Sequence, residues 1–199
     1  MSKLLVLKSS IMGENSTTNA LIDQYLLQRK ANGYKDEIVE HDLITMNLPV
    51  LDSEIFAALR GAENPSQRAK DAIALSDRLI AELKSADLLV IGAPMYNLNV
   101  PIHLKLWFDI VARVRETFRY TETYPMGLVE GVDAVIISTR GGVHLGNETD
   151  VVTPYMRSVL GLMGITNVDF IYGEGLDIQP HGKRDGIAHA QAQITKKTA

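Results

Sequence analysis

The sequence predicts an α/β fold: an open, doubly wound sheet of five parallel strands with helices on both faces. Three observations carry this. Short apolar runs alternate with helical stripes along all 199 residues. Most of the runs are nearly continuous rather than alternating, as in strands buried on both faces. No internal repeat, low-complexity tract or Pro/Gly/Ser linker divides the chain, so residues 1–199 read as one domain.

The first strand is "LLVL", Leu4–Leu7. A helical stripe follows at Leu21, Ile22, Tyr25 and Leu26. "DEIVEHDL", Asp36–Leu43, mixes apolar residues with charge and reads as an edge strand. Ile73, Leu79, Ile80 and Leu83 form the next stripe, with Asp77, Arg78, Glu82 and Lys84 facing away. "DLLVIGAP", Asp87–Pro94, is the third strand, and Pro101–Arg113 reads as a helix with proline near its first turn. "DAVIIST", Asp133–Thr139, is the fourth strand, followed by a helix over Val151–Met163. "NVDFIYG", Asn167–Gly173, is the fifth, and a last helix spans about Arg184–Lys196. Two segments are long connections, "TMNLPVLDSEIFAALRGAENPS" and "VRETFRYTETYPMGLVEG". Such segments often carry function or contacts.

Composition removes several classes of chemistry. The net charge of −4 offers no general attraction to nucleic acid or an anionic membrane. There is no cysteine, hence no disulfide, thiolate nucleophile or iron–sulfur cluster. Cytosol is the simplest compartment, and the apolar part of "MSKLLVLKSS" is too short for a signal peptide. No apolar stretch approaches the ~20 residues that span a bilayer. His41, His103, His144, His181 and His189 lack the HExxH spacing of a metal site, and GxSxG is absent. Asp42 could contact a ribose in a dinucleotide fold, but without the glycine fingerprint it reads as a surface residue.

In open sheets of this class, ligands bind beyond the carboxyl ends of the strands, where strand order reverses. In the order 2-1-3-4-5, strands 1, 3 and 4 are neighbours, so three loops converge. The first, "SSIMGENSTT", ends at a helix start near Ser16, where free N–H groups and partial positive charge suit a phosphate. Ser10, Ser16, Thr17 and Thr18 could add hydroxyl donors. GxxxxGK[ST] and GxGxxG are both absent, which favours a single monoester over a triphosphate or a dinucleotide. Glu14 opposes an anion unless its carboxylate points to solvent. The second loop offers Met95, Tyr96, Asn97 and Leu98, suited to a flat ligand with a polar edge. The third offers Thr139, Arg140, Gly141 and Gly142: glycine N–H groups for an acceptor edge, and an arginine to balance negative charge. His144 could reach over the ligand. Taken singly, each loop also has an ordinary reading, as helix capping, core packing, a turn or a surface ion pair. Together they ask for one phosphate, a flat ring and a hydrogen-bonding edge, which describes flavin mononucleotide (FMN).

"KSS", "STTN", "APMYN", "IALSDRLIAELK", "FRYTE", "STRGG" and "VVTPY" with "LGLMGIT" occur in the same order as in the bacterial FMN-dependent NADH azoreductases, which are also NADH:quinone reductases, and the chain resembles that family over most of its length. The resemblance implies a flavodoxin-like fold and a homodimer with active sites at the subunit interface. It implies ping-pong transfer of two electrons from NADH through FMN to a quinone or azo compound. Carried over by motif, Ser10, Ser16, Thr17 and Thr18 would serve the phosphate, and Met95–Leu98 with Thr139–Gly142 the ring. His144 and Tyr120 would face the substrate, with Tyr120 coming from the other subunit. Leu98, and a position near Leu162, stand where the family often has aromatics, so bulky dyes should stack less well. Thr139 replaces a common serine and keeps the hydroxyl. A flavodoxin-type electron carrier and a sensing module that has lost the chemistry are the alternatives.

Overall fold

A computed structural model describes residues 1–198. Five parallel strands form the main sheet: β1 (Ser2–Lys8), β2 (Asp36–Asp42), β3 (Leu88–Gly92), β6 (Asp133–Thr139) and β7 (Val168–Gly173). Their order is β2-β1-β3-β6-β7, which is the expected 2-1-3-4-5. The register sets Leu4 beside both Ile38 and Leu88, and Ala134 beside Val168.

The continuous apolar runs have a direct cause. Side chains alternate across a strand, and both faces of this sheet are covered. Leu5, Leu7, Leu89, Ile91 and Ile136 face one side, against α3 (Gln67–Ser85), α4 (Ile102–Val111) and α5 (Val152–Met163). Leu4, Val6, Val90, Val135 and Ile137 face the other, against α1 (Thr17–Ala31) and α6 (Gly182–Thr198). The stripe Leu21, Ile22 and Tyr25 of α1 packs with Ala190 and Ile194 of α6 on that side. On the first side, Leu79 and Leu83 of α3 meet Trp107 and Phe108 of α4 and Leu160 of α5. Strand β2 is the charged edge, exposed over Glu37–Glu40.

Two departures concern the long connections. The first contains a helix that the sequence reading leaves as a loop, α2 (Ser53–Leu59). Asp52 caps it by accepting from the Ile55 N–H at 2.9 Å, and Ile55 and Leu59 join the core. Seven residues are too few for a visible stripe, so capping and tertiary burial make this helix. The second connection holds a small antiparallel pair, β4 (Phe118–Arg119) with β5 (Met126–Gly127). There β5 presses on the end of α5: a side chain at Gly127 would collide with the backbone of Gly164, whose left-handed φ of 105° ends the helix.

Candidate functional site

The carboxyl ends of β1, β3 and β6 lie side by side, and side chains stitch their loops together. Ser9 donates to the Gly92 carbonyl at 2.6 Å, joining the first loop to the end of β3. The Ser10 and Tyr96 hydroxyls meet at 2.9 Å, joining the first loop to the second. The Thr18 and Thr139 hydroxyls meet at 2.6 Å, joining the start of α1 to the end of β6. The Met95 N–H donates to the Thr139 carbonyl at 2.9 Å. These bonds surround a cleft of about 300 Å³. The convergence expected of the three loops is therefore present.

Ser10, Thr17 and Thr18 line the cleft from the first loop, Met95 and Tyr96 from the second, and Thr139, Arg140 and Gly141 from the third. Ser16 does not line it. Its hydroxyl oxygen caps α1, accepting from the Asn19 N–H at 3.0 Å. Capping leaves the Thr17 and Thr18 N–H groups at the helix mouth without intrahelical acceptors. Glu14 sits in an exposed turn, and its carboxylate is absent from the cleft wall. Asn97 and Leu98 also lie off the cleft wall, exposed on a tight turn closed by mutual Tyr96–Asn99 backbone bonds of 2.9 and 3.0 Å. Their φ values of 49° and 65° are left-handed. For leucine that conformation costs energy, so the turn holds it at the rim against its preference.

Arg140 requires a correction. The sequence reading gives it a charge to offer the ligand, yet its side chain is 0% exposed. The guanidinium is neutralised inside the protein by Asp150 at 2.9 Å and Glu174 at 3.2 Å. It also bonds the Thr153 hydroxyl at 2.9 Å and lies over the Tyr172 ring. Burial pushes the Tyr172 phenol up, against the lowering effect of Thr153 and Arg140. Only the backbone of Arg140 can reach the cleft. Its side chain instead holds the third loop in place through Glu174, because the same Glu174 oxygen also accepts from the His144 and Leu145 N–H groups, both at 2.8 Å.

Gly141 and Gly142 behave differently from each other. A Cβ at Gly141 would strike the Asp177 carboxylate on the cleft wall, so a side chain there would displace that carboxylate. Gly142 is off the wall, under the His144 ring, where a Cβ would meet Nε2 at 2.8 Å. The His144 ring is turned to Thr149, with Nδ1 and the hydroxyl 2.8 Å apart, and does not line the cleft. Tyr120 is not there either. It is 62% exposed, edge-on to Phe118, in a separate apolar hollow of about 310 Å³ that includes Phe56, Tyr155 and Leu162.

The cleft also has walls that the sequence reading does not assign: Met12, Asn15, Pro94, and, after β7, Leu176, Asp177 and Lys183. The segment after β7 forms a strap along the third loop. Leu176, Asp177 and Gly175 donate backbone N–H groups to the carbonyls of Arg140, Gly141 and Gly142 at 3.1, 3.0 and 2.8 Å. The strap occupies those carbonyls, and among the described residues the Gly141 and Gly142 N–H groups have no acceptor. The signal for the strap was strand order itself, since the fifth strand neighbours the fourth and its loop emerges at the same end. A larger hollow of about 780 Å³ lies between α1 and the amino end of β2, lined by Leu26, Tyr34 and Asp36. It is at the wrong end of the sheet for the loops described here. Among the described residues no cluster of His, Asp or Glu could hold a metal.

The chain matches the family model described as a flavodoxin-like fold over residues 2–198. It is 63% identical over 194 residues to the FMN-dependent NADH:quinone oxidoreductase 4 of Burkholderia lata, with 98% of each chain covered. It belongs to the flavodoxin-like family of FMN-dependent NADH:quinone oxidoreductases and azoreductases. A second relative, the FMN-dependent NADH:quinone oxidoreductase of Aeromonas salmonicida, is 53% identical over 194 residues, covering 98% of this chain and 97% of its own. Among solved structures, an azoreductase from Bacillus anthracis superposes with a TM-score of 0.90 at 25% identity, covering 100% of this chain and 99% of that one. The residues of the cleft fit the cofactor in the family's name. A capped helix mouth with hydroxyls, the Met95 and Tyr96 side chains, and the free Gly141 N–H match a phosphate, a flat ring and an acceptor edge.

Proposed function

We propose that this chain is an FMN-dependent enzyme that passes two electrons from NADH to quinones, and to azo compounds with cleavage to aromatic amines, by a ping-pong mechanism. The observation that carries this reading is the stitched cleft itself: neutral phosphate donors, a ring rim and free glycine N–H groups on three converging loops. Bound FMN would supply the two-electron redox chemistry, with NADH and the electron acceptor served in separate half-reactions.

The protein's own residues do the binding and orienting. Ser10, Thr17 and the mouth of α1 would hold the phosphate with neutral donors. The Thr18 and Thr139 hydroxyls bond each other and fix the spacing between the helix mouth and β6. Met95 and Tyr96 would flank the ring, with Asn97 and Leu98 at its rim. The Gly141 and Gly142 N–H groups would donate to the ring's acceptor edge and favour negative charge developing there. The strap holds those glycines by their carbonyls, and Arg140 with Glu174 fixes the loop just beyond them at His144 and Leu145.

At about 300 Å³ the cleft is at the small end for a cofactor site, so much of a flat ring would stand proud of it. We infer that a second copy of the chain completes the site as a homodimer. Tyr120, with the exposed Phe56 in the same hollow, belongs to an apolar surface suited to that role. Tyr120 of one subunit and His144 of the other would then face the substrate. The cytoplasm, where NADH is held, is the compartment we assign. Among the described residues no helix is long and apolar enough to cross a membrane.

The test is an absorption spectrum of the purified protein, followed by NADH without oxygen and then a quinone. Flavin bands that bleach directly to the two-electron reduced form and return with quinone support the proposal. A protein that takes up no FMN refutes it, and build-up of a one-electron state would favour an electron carrier.

A further inference from the structure

We propose that Lys183 is a phosphate-binding residue that makes this cleft select FMN over riboflavin. The inference rests on the reading of the cleft as an FMN site. It adds a charge that the three loops do not provide.

The first loop offers only neutral donors, and the Arg140 charge is consumed by Asp150 and Glu174. Lys183 is the remaining cationic side chain on the cleft wall, on the same space as Ser10, Asn15 and Thr17. Its neighbour Arg184 is tied to Asp185, and Lys197 near the other end of α6 is tied to Asp169. Among the described residues Lys183 forms no ion pair, Asp177 included, although both line the cleft.

The position of Lys183 follows from packing. Gly182 donates to the Ile178 carbonyl at 2.8 Å, and a side chain there would collide with the Gly175 carbonyl. One turn on, a side chain at Gly186 would strike the Glu174 carbonyl. These two glycines let α6 descend directly onto the strap, which is itself bonded to the third loop. Lys183, between them, is thereby delivered to the cleft with an exposed, extensible stem. Opposing charge is limited. Asp177 lines the cleft with its carboxylate against Gly141, and Glu14 is exposed and off the wall.

A mobile ammonium facing a phosphate near the surface gains modestly, and salt screens the gain. Removing it should cost FMN roughly five- to tenfold in affinity at low salt. Riboflavin, which lacks the phosphate, should lose nothing. The experiment strips the flavin and titrates FMN and riboflavin into the wild type, Lys183→Gln and Lys183→Arg, at low and high salt, following flavin fluorescence. The expected result is weaker FMN binding by Lys183→Gln with riboflavin unchanged, a flatter salt dependence, and recovery in Lys183→Arg. FMN affinity equal to the wild type would overturn the proposal. So would equal losses for FMN and riboflavin, which would mean that Lys183 acts by packing alone. In either case the FMN site would stand, because the wild type binds. A wild type that binds neither flavin would overturn both readings together.

Discussion

Replacing Glu174 with alanine should lower the melting temperature by about 6–12 °C and weaken FMN binding, although Glu174 does not line the cleft. One oxygen of this carboxylate accepts from the Arg140 guanidinium at 3.2 Å and from the His144 and Leu145 N–H groups at 2.8 Å. The bond to the buried guanidinium is charge-assisted and worth about 1.5–3 kcal/mol. The His144 N–H is half-buried and adds about 1 kcal/mol, whereas Leu145 is exposed and water can replace its partner. Asp150 still neutralises Arg140 at 2.9 Å, so the loss stays below the ~3–5 kcal/mol of a fully broken buried pair. The sum is about 3 kcal/mol, and a chain of 199 residues loses about 2–4 °C per kcal/mol. Glu174→Gln keeps an acceptor but loses the charge, so it should fall about half as far. The assay is thermal unfolding of the flavin-free protein, which excludes stabilisation by the ligand. Flavin titration of the same variants then reads the loop. If Glu174→Ala melts within about 2 °C of the wild type and binds FMN equally well, Arg140 does not position the third loop through Glu174.

Other perturbations probe other parts of the site. Thr17→Glu places a carboxylate at the mouth of α1, on the cleft wall, and should weaken FMN by at least about tenfold; unchanged affinity on titration would remove the phosphate from that helix. Tyr120→Ala should impair quinone turnover more than FMN binding, since Tyr120 lies outside the cleft of its own chain; loss of FMN with normal turnover per bound flavin would mean that Tyr120 is misassigned. Tyr155 has its phenol pushed up from 10.0 to about 12, first by burial and then by Asp109. Its folded pKa is above its unfolded one, so its contribution to stability is full below pH 10.0 and is lost as pH rises towards about 12. Tyr155→Phe should remove the last phase of an ultraviolet phenolate titration and flatten the alkaline fall in stability, and a titration unchanged by the substitution would contradict the assignment.

Much of the fold was legible because it rests on local patterns. The run Leu4–Leu7 has no polar face, so a strand there must be covered on both sides, and the sheet has helices on both. The charged run Asp36–Leu43 reads as an edge strand, and β2 is at the edge of the sheet. Helix α2 was not legible, because seven residues with one capping aspartate differ little from a loop until Ile55 and Leu59 find the core.

The site divides in the same way. The sequence by itself determined which loops meet, because strand order puts the carboxyl ends of β1, β3 and β6 together. It also determined the chemistry of that meeting: hydroxyls at a helix start, a rim of Met95 and Tyr96, and paired glycines. Only the tertiary structure decided what individual side chains do there. Arg140 looked like a charge for the ligand until Asp150 and Glu174, 10 and 34 residues further on, enclosed it. Ser16 could be read as a ligand hydroxyl or as a helix cap; its oxygen caps α1 by accepting from the Asn19 N–H, and it lies off the cleft wall. Asp177 and Lys183 carried no motif, and a strap and two glycine contacts brought them to the cleft. The physical reason is range. Periodicity, capping and strand order are set by neighbours along the chain, whereas the partner of a charge is set by whichever group the fold brings within about 3 Å.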